Sequence, residues 1–343
     1  MTEEWAPVFA LANDHLLTPA LFAALRRAHC LSQLPSDAAN YLATLHRLNA
    51  RRNRSLRRQA VELVGALNRR GMTPVLLKGG LALFDGPYAD PADRMMRDID
   101  ILVPAYGRDR SVAALGDLGY RLSRPYPEGH HAVGDFARPH DAGSVDLHTE
   151  LVDMSYVLPA AEVRARATPK ELDGVRFLAP SPTDRVLHNL LHAQVHFLGN
   201  FYRGELQLQQ IHELAALTRH FGPAIDWSLV ERRLCEHRLA TPLESYLLAA
   251  RRLFGLAWPL SKPPAARALL HYRRCDLQLR IPWLSWLGVP WGNVRGAFAW
   301  HRMHALYGVG FGGGPVRWRA RHLLRYLHRH GVAAALERML RAA

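Results

Sequence analysis

The sequence predicts an α+β fold. A small mixed β-sheet over roughly 73–180 follows an N-terminal helical segment (1–72) and precedes a helical C-terminal domain (181–343). Two observations carry this. Apolar residues recur at helical spacing on both sides of the middle third. Within it, short runs rich in Val, Ile and Leu, at Pro74–Leu77, Ile99–Val103 and Ser144–Leu151, read as strands. They are too few and too unevenly connected for a long βαβ array.

The elements follow in order. Helices are expected over Pro19–Leu25, over Tyr41–Leu48 with Ser36-Asp37 as N-cap, and from about Arg54 to Arg70. In the last, Val61, Leu63, Val64 and Leu67 form the buried stripe. Gly71 after Arg69-Arg70 is a helix stop, with cations at the negative end of the dipole. The strand Pro74–Leu77 ends at Lys78-Gly79-Gly80. The loop Asp85–Pro91 is dense in turn residues. A helix over Arg108–Leu118 stops at Gly119, and Tyr120–Leu122 starts another strand. His131–Ala137 and Ser144–Leu151 pair across the turn Pro139–Gly143. Ser181–Asp184 opens a helix running through Val195, with further helices at Glu205–Arg219 and Leu243–Phe254. Residues 258–264 are a proline-rich break, Gly310–Gly314 a hinge or turn, and Val316–Arg329 a basic amphipathic helix. Trp283, Trp286, Trp291 and Trp300, with Phe298, are expected to build a second helical core.

Composition narrows the class. At 343 residues, 49% hydrophobic and 22% charged, the chain has room for two domains with sizeable cores. No apolar run is long enough for a transmembrane segment, and the N-terminus lacks a basic stretch followed by an apolar one. The three cysteines, Cys30, Cys235 and Cys275, lie far apart without metal-ligand spacing. Together these features predict a cytoplasmic protein without a disulfide framework or zinc knuckle. The net charge of +14 fits either a nucleic-acid partner or an arginine-rich solvated surface. Its even spread favours the surface. Only Lys78, Lys170 and Lys262 are lysines among 44 basic residues. A lysine beside two glycines therefore stands out as a compact point charge.

The chemistry concentrates at two short motifs. In a strand, residues two apart share a face, so Asp98 and Asp100 project together while Ile99, Ile101 and Val103 face a core. Two neighbouring carboxylates repel unless a cation sits between them. Asp146, in Ser144-Val145-Asp146-Leu147-His148, reaches the same place if its strand lies beside that of Asp98. Three carboxylates on two strands suit a two-metal centre. Glycines at 79 and 80 allow backbone N–H groups to approach a phosphate.

At these residues the chain resembles the polymerase-β-type nucleotidyltransferase superfamily. More narrowly, Leu77-Lys78-Gly79-Gly80, Arg94 through Asp98-Ile99-Asp100-Ile101-Leu102-Val103, Val145-Asp146-Leu147-His148 and Leu191-His192-Ala193 with His196 resemble a bacterial branch called uncharacterised nucleotidyltransferase family proteins. The resemblance implies that Asp98, Asp100 and Asp146 are catalytic and hold Mg²⁺ (or Mn²⁺). It also implies that Lys78, Gly79 and Gly80, with Arg94 and Arg97, bind the phosphates of a nucleoside triphosphate. Superfamily members often carry Ser or Thr where this chain has Gly80 and Arg97.

Other candidates have plainer readings. His148 shares a strand face with Asp146 and can orient it. His188, His192 and His196 share a helix face, and His192 and His196 are candidates for acceptor contact in a cleft. No metalloprotease pattern accompanies them. Asp90 and Asp93 read as loop caps. The expected activity moves NMP from an NTP to an acceptor and releases pyrophosphate. The acceptor is left open among small molecule, peptide and tRNA. A toxin-like or regulatory enzyme modifying tRNA or protein, and a catalytically idle nucleotide-binding module, are the alternatives.

Overall fold

The computed structural model describes residues 5–126, 130–196, 199–308 and 315–331. The glycine-rich stretch Gly310–Gly314 lies outside them. Helices α1 (Ala6–Asp14), α2 (Thr18–Arg27) and α3 (Ser36–Arg69) lead into strand β1 (Val75–Leu76) and helix α4 (Lys78–Asp85). Then come β2 (Asp98–Leu102), α5 (Arg108–Asp117), β3 (Arg121–Pro125), β4 (Ala132–Ala137) and β5 (Ser144–His148). Helix α6 (Ala160–Arg166) precedes the hairpin β6 (Thr168–Leu172) and β7 (Val175–Ala179). The remainder is helical: α7 (Pro182–Gln194), α8 (Asn200–Arg203), α9 (Leu208–Phe221), α10 (Trp227–Glu236), α11 (Ala240–Phe254), α12 (Ala266–Arg280), α13 (Pro282–Ala297), α14 (Trp300–Tyr307) and α15 (Pro315–His330). The fold is therefore α+β, as the sequence predicts.

Among the described residues the sheet has seven strands in the order β3-β4-β5-β2-β1-β7-β6. The pairs β2–β5 and β1–β7 are parallel, and the others are antiparallel. Alternation decides the two faces. Ile99, Ile101, Val145 and Leu147 join Leu56, Leu63, Val64 and Leu67 of α3 in one buried cluster. Each fully buried aliphatic side chain of this kind contributes about 1.5–3 kcal/mol. A one-residue slip of β2 or β5 would exchange these aliphatics for aspartates, so the core enforces the register. The acidic residues of both strands are thereby committed to the opposite face.

Helix α3 corrects an expectation. The helices anticipated at Tyr41–Leu48 and Arg54–Arg70 are one continuous helix of 34 residues, about 50 Å long at 1.5 Å per residue. No glycine or proline interrupts 36–64. The polar residues between the two apolar stripes point at a neighbouring loop. Asn49 Nδ2 donates to the carbonyls of Ala92 (2.7 Å) and Arg94 (3.0 Å). Asn53 Nδ2 donates to those of Pro91 (2.7 Å) and Arg94 (2.9 Å). Arg52 Nε donates to Met96 O at 2.9 Å. These bonds satisfy the carbonyls of a segment that makes no strand and fix the approach to β2. The N-cap position is occupied by Pro35 instead of Ser36. Gly71 ends the helix at φ +73°, the left-handed conformation that glycine adopts without a Cβ clash.

Two compact units divide the chain. The first comprises 1–151, 159–185 and 219–221, and the second 152–158, 186–218 and 222–343. In the second, α13 departs from expectation: Trp283, Trp286 and Trp291 are 63%, 73% and 66% exposed. The helix packs instead through small and polar residues. A Cβ at Gly292 would lie 2.5 Å from Arg203 Cα, and Asn293 Oδ1 accepts from Arg203 Nε at 2.7 Å. Close approach along this glycine face turns the indoles to solvent. Among the described residues no helix is long and apolar enough to cross a membrane.

Candidate active site

The parallel pairing of β2 and β5 places Asp98 beside Ser144, Asp100 beside Asp146 and Leu102 beside His148. Asp98, Asp100, Asp146 and His148 thus share the sheet face opposite the α3 core. His148 Nε2 lies 2.9 Å from Asp146 Oδ2 and 3.2 Å from Asp100 Oδ1. Lys78 Nζ donates to the same Asp100 oxygen at 2.7 Å. Asp100 and His148 are 2% and 1% exposed. Two cationic side chains therefore converge on one buried carboxylate, a contact for Lys78 that the sequence reading did not assign.

Electrostatics follow from this crowding. The negative charge of Asp100, then burial, pushes Asp98 up to about 6. Burial alone would raise Asp100, but Lys78 and His148 outweigh it and hold Asp100 well below the usual carboxylate range. Burial opposes the charge on His148, yet its hydrogen bonds to Asp100 and Asp146 lift it to about 9. Burial likewise opposes charge on Lys78, and Asp100, Asp98 and Asp146 together raise it. Lys78 and His148, with the charge of Arg94 acting on Asp98, make three close carboxylates tolerable.

Helix α4 begins against this cluster. Leu77 N donates to Asp100 O at 3.1 Å, which brings the strand-to-helix turn directly onto β2. Lys78, the first helical residue, has φ +40°, a strained conformation costing about 1–3 kcal/mol for a residue with a Cβ. Gly80 lets the helix sit close: a Cβ there would lie 3.3 Å from Asp100 O and 3.4 Å from Ile99 Cγ2. At Gly79 it would lie 2.6 Å from Arg94 Nη1, so Arg94 covers the first turn of α4. The N-cap residue, Leu77, makes no side-chain cap hydrogen bond, and the first N–H groups of the helix carry the positive end of its dipole.

The other predicted residues have the following surroundings. Arg97 is exposed, and Arg52 Nη2 donates to its carbonyl at 3.4 Å. In the second unit, His192 Nδ1 lies 2.9 Å from Gln210 Nε2, and its ring stacks on His196 at 5.2 Å. His196 lies past the end of α7, at Gln194, with Nδ1 3.4 Å from Asp153 Oδ2. The helix thus stops one residue short of the expected Val195. Asp90 is a cap, accepting from Ala92 N at 2.8 Å. Asp93 is not: it is buried between Arg27 (3.1 Å) and His46 (2.9 Å).

One acidic residue escaped the sequence reading. Asp135 of β4 stands opposite Asp146, and Tyr126 Oη donates to its Oδ1 at 3.3 Å. Burial, then the charge of Asp146, raises its pKa. The alternation of buried and half-buried residues along Ala132–Ala137, with the pairing to β5, was the signal that places Asp135 on the acidic face.

The donor chemistry fits a divalent cation. Asp100, Asp146 and His148 each offer one ligand atom, all within 4.8 Å of one another. Asp146 Oδ1 is buried without a hydrogen-bond partner, as an oxygen awaiting a ligand would be. A family model described as uncharacterised nucleotidyltransferase matches residues 2–255. The chain belongs to the uncharacterised nucleotidyltransferase family. Nucleotidyl transfer is accordingly the chemistry against which this family member's site is judged. Among solved structures, the solution structure of the antibiotic-resistance factor ANT(2'')-Ia is similar at 15% identity and a TM-score of 0.36. The match covers 52% of this chain and 91% of that one. No curated protein matches.

Proposed function

We propose that this protein transfers NMP from a nucleoside triphosphate to an acceptor hydroxyl, with Asp98, Asp100 and Asp146 as the catalytic carboxylates. The observation that carries this reading is the register that sets Asp100 against Asp146, beside the start of α4. Asp98, Asp100 and Asp146 would hold Mg²⁺ or Mn²⁺, which neutralises triphosphate charge and acidifies the acceptor hydroxyl. The N–H groups of Gly79 and Gly80 take the phosphate oxygens, where the dipole favours negative charge. Arg94, already over this turn, adds a bidentate donor. With a cation held by the carboxylates, Lys78 would be free to turn from Asp100 to a phosphate oxygen.

In the transfer step the acceptor oxygen attacks the α-phosphorus, and the bond to the β-phosphate bridging oxygen breaks. Pyrophosphate leaves, and the hydroxyl proton passes to Asp146. The protein's contribution is positioning and charge neutralisation.

The test is incubation with α-labelled NTPs and divalent cation in the presence of tRNA, total protein or small metabolites. Label transferred to one acceptor class, with pyrophosphate released, is expected. Asp98→Ala and Asp100→Ala should abolish transfer while the chain stays folded. Undiminished transfer by both variants would remove this mechanism.

A further inference from the structure

His148 stands among the carboxylates with a donor that none of the proposed catalytic roles uses. We propose that His148 Nε2 is itself a ligand of the divalent cation, and that adding this nitrogen to the carboxylate set favours Mn²⁺ over Mg²⁺. The inference rests on the nucleotidyl-transfer reading of this cluster.

The spacing supports it. Neighbouring donors on an octahedral ion with bonds of about 2.1 Å stand about 3 Å apart. Nε2 lies 2.9 Å from Asp146 Oδ2 and 3.2 Å from Asp100 Oδ1, close to the separation of neighbouring donors on such an ion, and one ligand atom from each of the three residues lies within 4.8 Å of the others; on binding, the cation takes the place of the proton that the imidazole shares with the carboxylates. The sheet holds them there. Asp100 and Asp146 are paired across β2 and β5, and His148 is the next residue of β5 on that face. Its side chain is 1% exposed, so packing restricts its rotamers. The orphaned Asp146 Oδ1 leaves further coordinating capacity in the cluster.

Ligand chemistry sets the preference. Mg²⁺ takes oxygen ligands and retains its waters, whereas imidazole suits ions of the transition series. An all-carboxylate cluster discriminates weakly between Mg²⁺ and Mn²⁺. Replacing one oxygen by an imidazole nitrogen tilts the choice towards Mn²⁺.

The experiment is pulsed EPR with Mn²⁺ alone, on the full chain labelled with ¹⁵N-histidine. A nitrogen hyperfine coupling to Mn²⁺ is expected, and His148→Gln should lose it. Competition should show half-saturation at roughly tenfold less Mn²⁺ than Mg²⁺ in the wild type, with that ratio collapsing in the variant. Should His148→Gln not fold, His148→Asn and the wild-type coupling carry the same test. Mn²⁺ bound without nitrogen coupling, or with a coupling that survives loss of His148, overturns the proposal and leaves the carboxylate site standing. Mn²⁺ that fails to bind, or binds equally well to Asp100→Asn and Asp146→Asn, overturns this proposal and the parent reading together.

Discussion

Replacing Lys78 by methionine removes the ammonium that closes on Asp100 and leaves that carboxylate facing Asp98 and Asp146. The contact is 2.7 Å long, with the Asp100 side chain 3% exposed and that of Lys78 23% exposed. Removing one partner of a buried pair costs about 3–5 kcal/mol. The partial exposure of Lys78, and the presence of His148 on the same oxygen, put this case near the lower end, ~3 kcal/mol. At about 2–4 °C per kcal/mol for a unit of this size, Tm should fall by roughly 6–12 °C. The assay is thermal unfolding in EDTA, repeated with saturating Mn²⁺. The cation should stabilise Lys78→Met more than wild type, because in the wild type it must displace the ammonium. Lys78→Gly loses the same charge but suits φ +40°, and should recover about 1 kcal/mol. A Lys78→Met protein as stable as wild type in EDTA would refute the view that Lys78 holds the carboxylates together.

Other outcomes follow from the same contacts. Gly80→Ala pushes a methyl to 3.3 Å from Asp100 O and should cost about 1–2 kcal/mol in chemical denaturation, with a larger proportional loss of nucleotide affinity than of stability. Asn53→Ala removes two bonds to loop carbonyls. It should cost about 1–3 kcal/mol and reduce kcat more than KM, because the loop leads into Asp98. His301 and His271 in the second unit are each pushed down to about 4, chiefly by burial. Their folded pKa values lie below the unfolded 6.5, so their contribution is whole above pH 6.5 and is lost as pH falls through 4. The expected loss is up to about 3 kcal/mol per group, read as a falling urea midpoint by tryptophan fluorescence between those pH values. An unchanged midpoint would contradict their burial as neutral groups.

The acidic face was legible because strand periodicity is strict: Asp98-Ile99-Asp100-Ile101 and Val145-Asp146-Leu147-His148 allow one assignment of faces once a core exists. Partnership between strands was a conditional in the sequence and a register in the structure. What escaped was mostly polar and tertiary. Asn49 and Asn53 gave no sign that their amides serve a loop some forty residues on. The β6–β7 hairpin did have a local signal, Asp173-Gly174, whose φ values of +53° and +73° suit the tight two-residue turn that joins antiparallel strands. The tryptophans of α13 misled because aromatic content usually marks a core. Here the glycine face permits a closer approach than indoles would.

Anomalous diffraction from crystals grown with Mn²⁺ and a non-hydrolysable NTP analogue tests the central claim most directly. The account predicts a manganese peak between Asp100 and Asp146, with triphosphate oxygens against the first turn of α4 and Lys78 turned from Asp100 to phosphate. Manganese bound elsewhere, with the Lys78–Asp100 contact intact and no nucleotide at Gly79-Gly80, would contradict it.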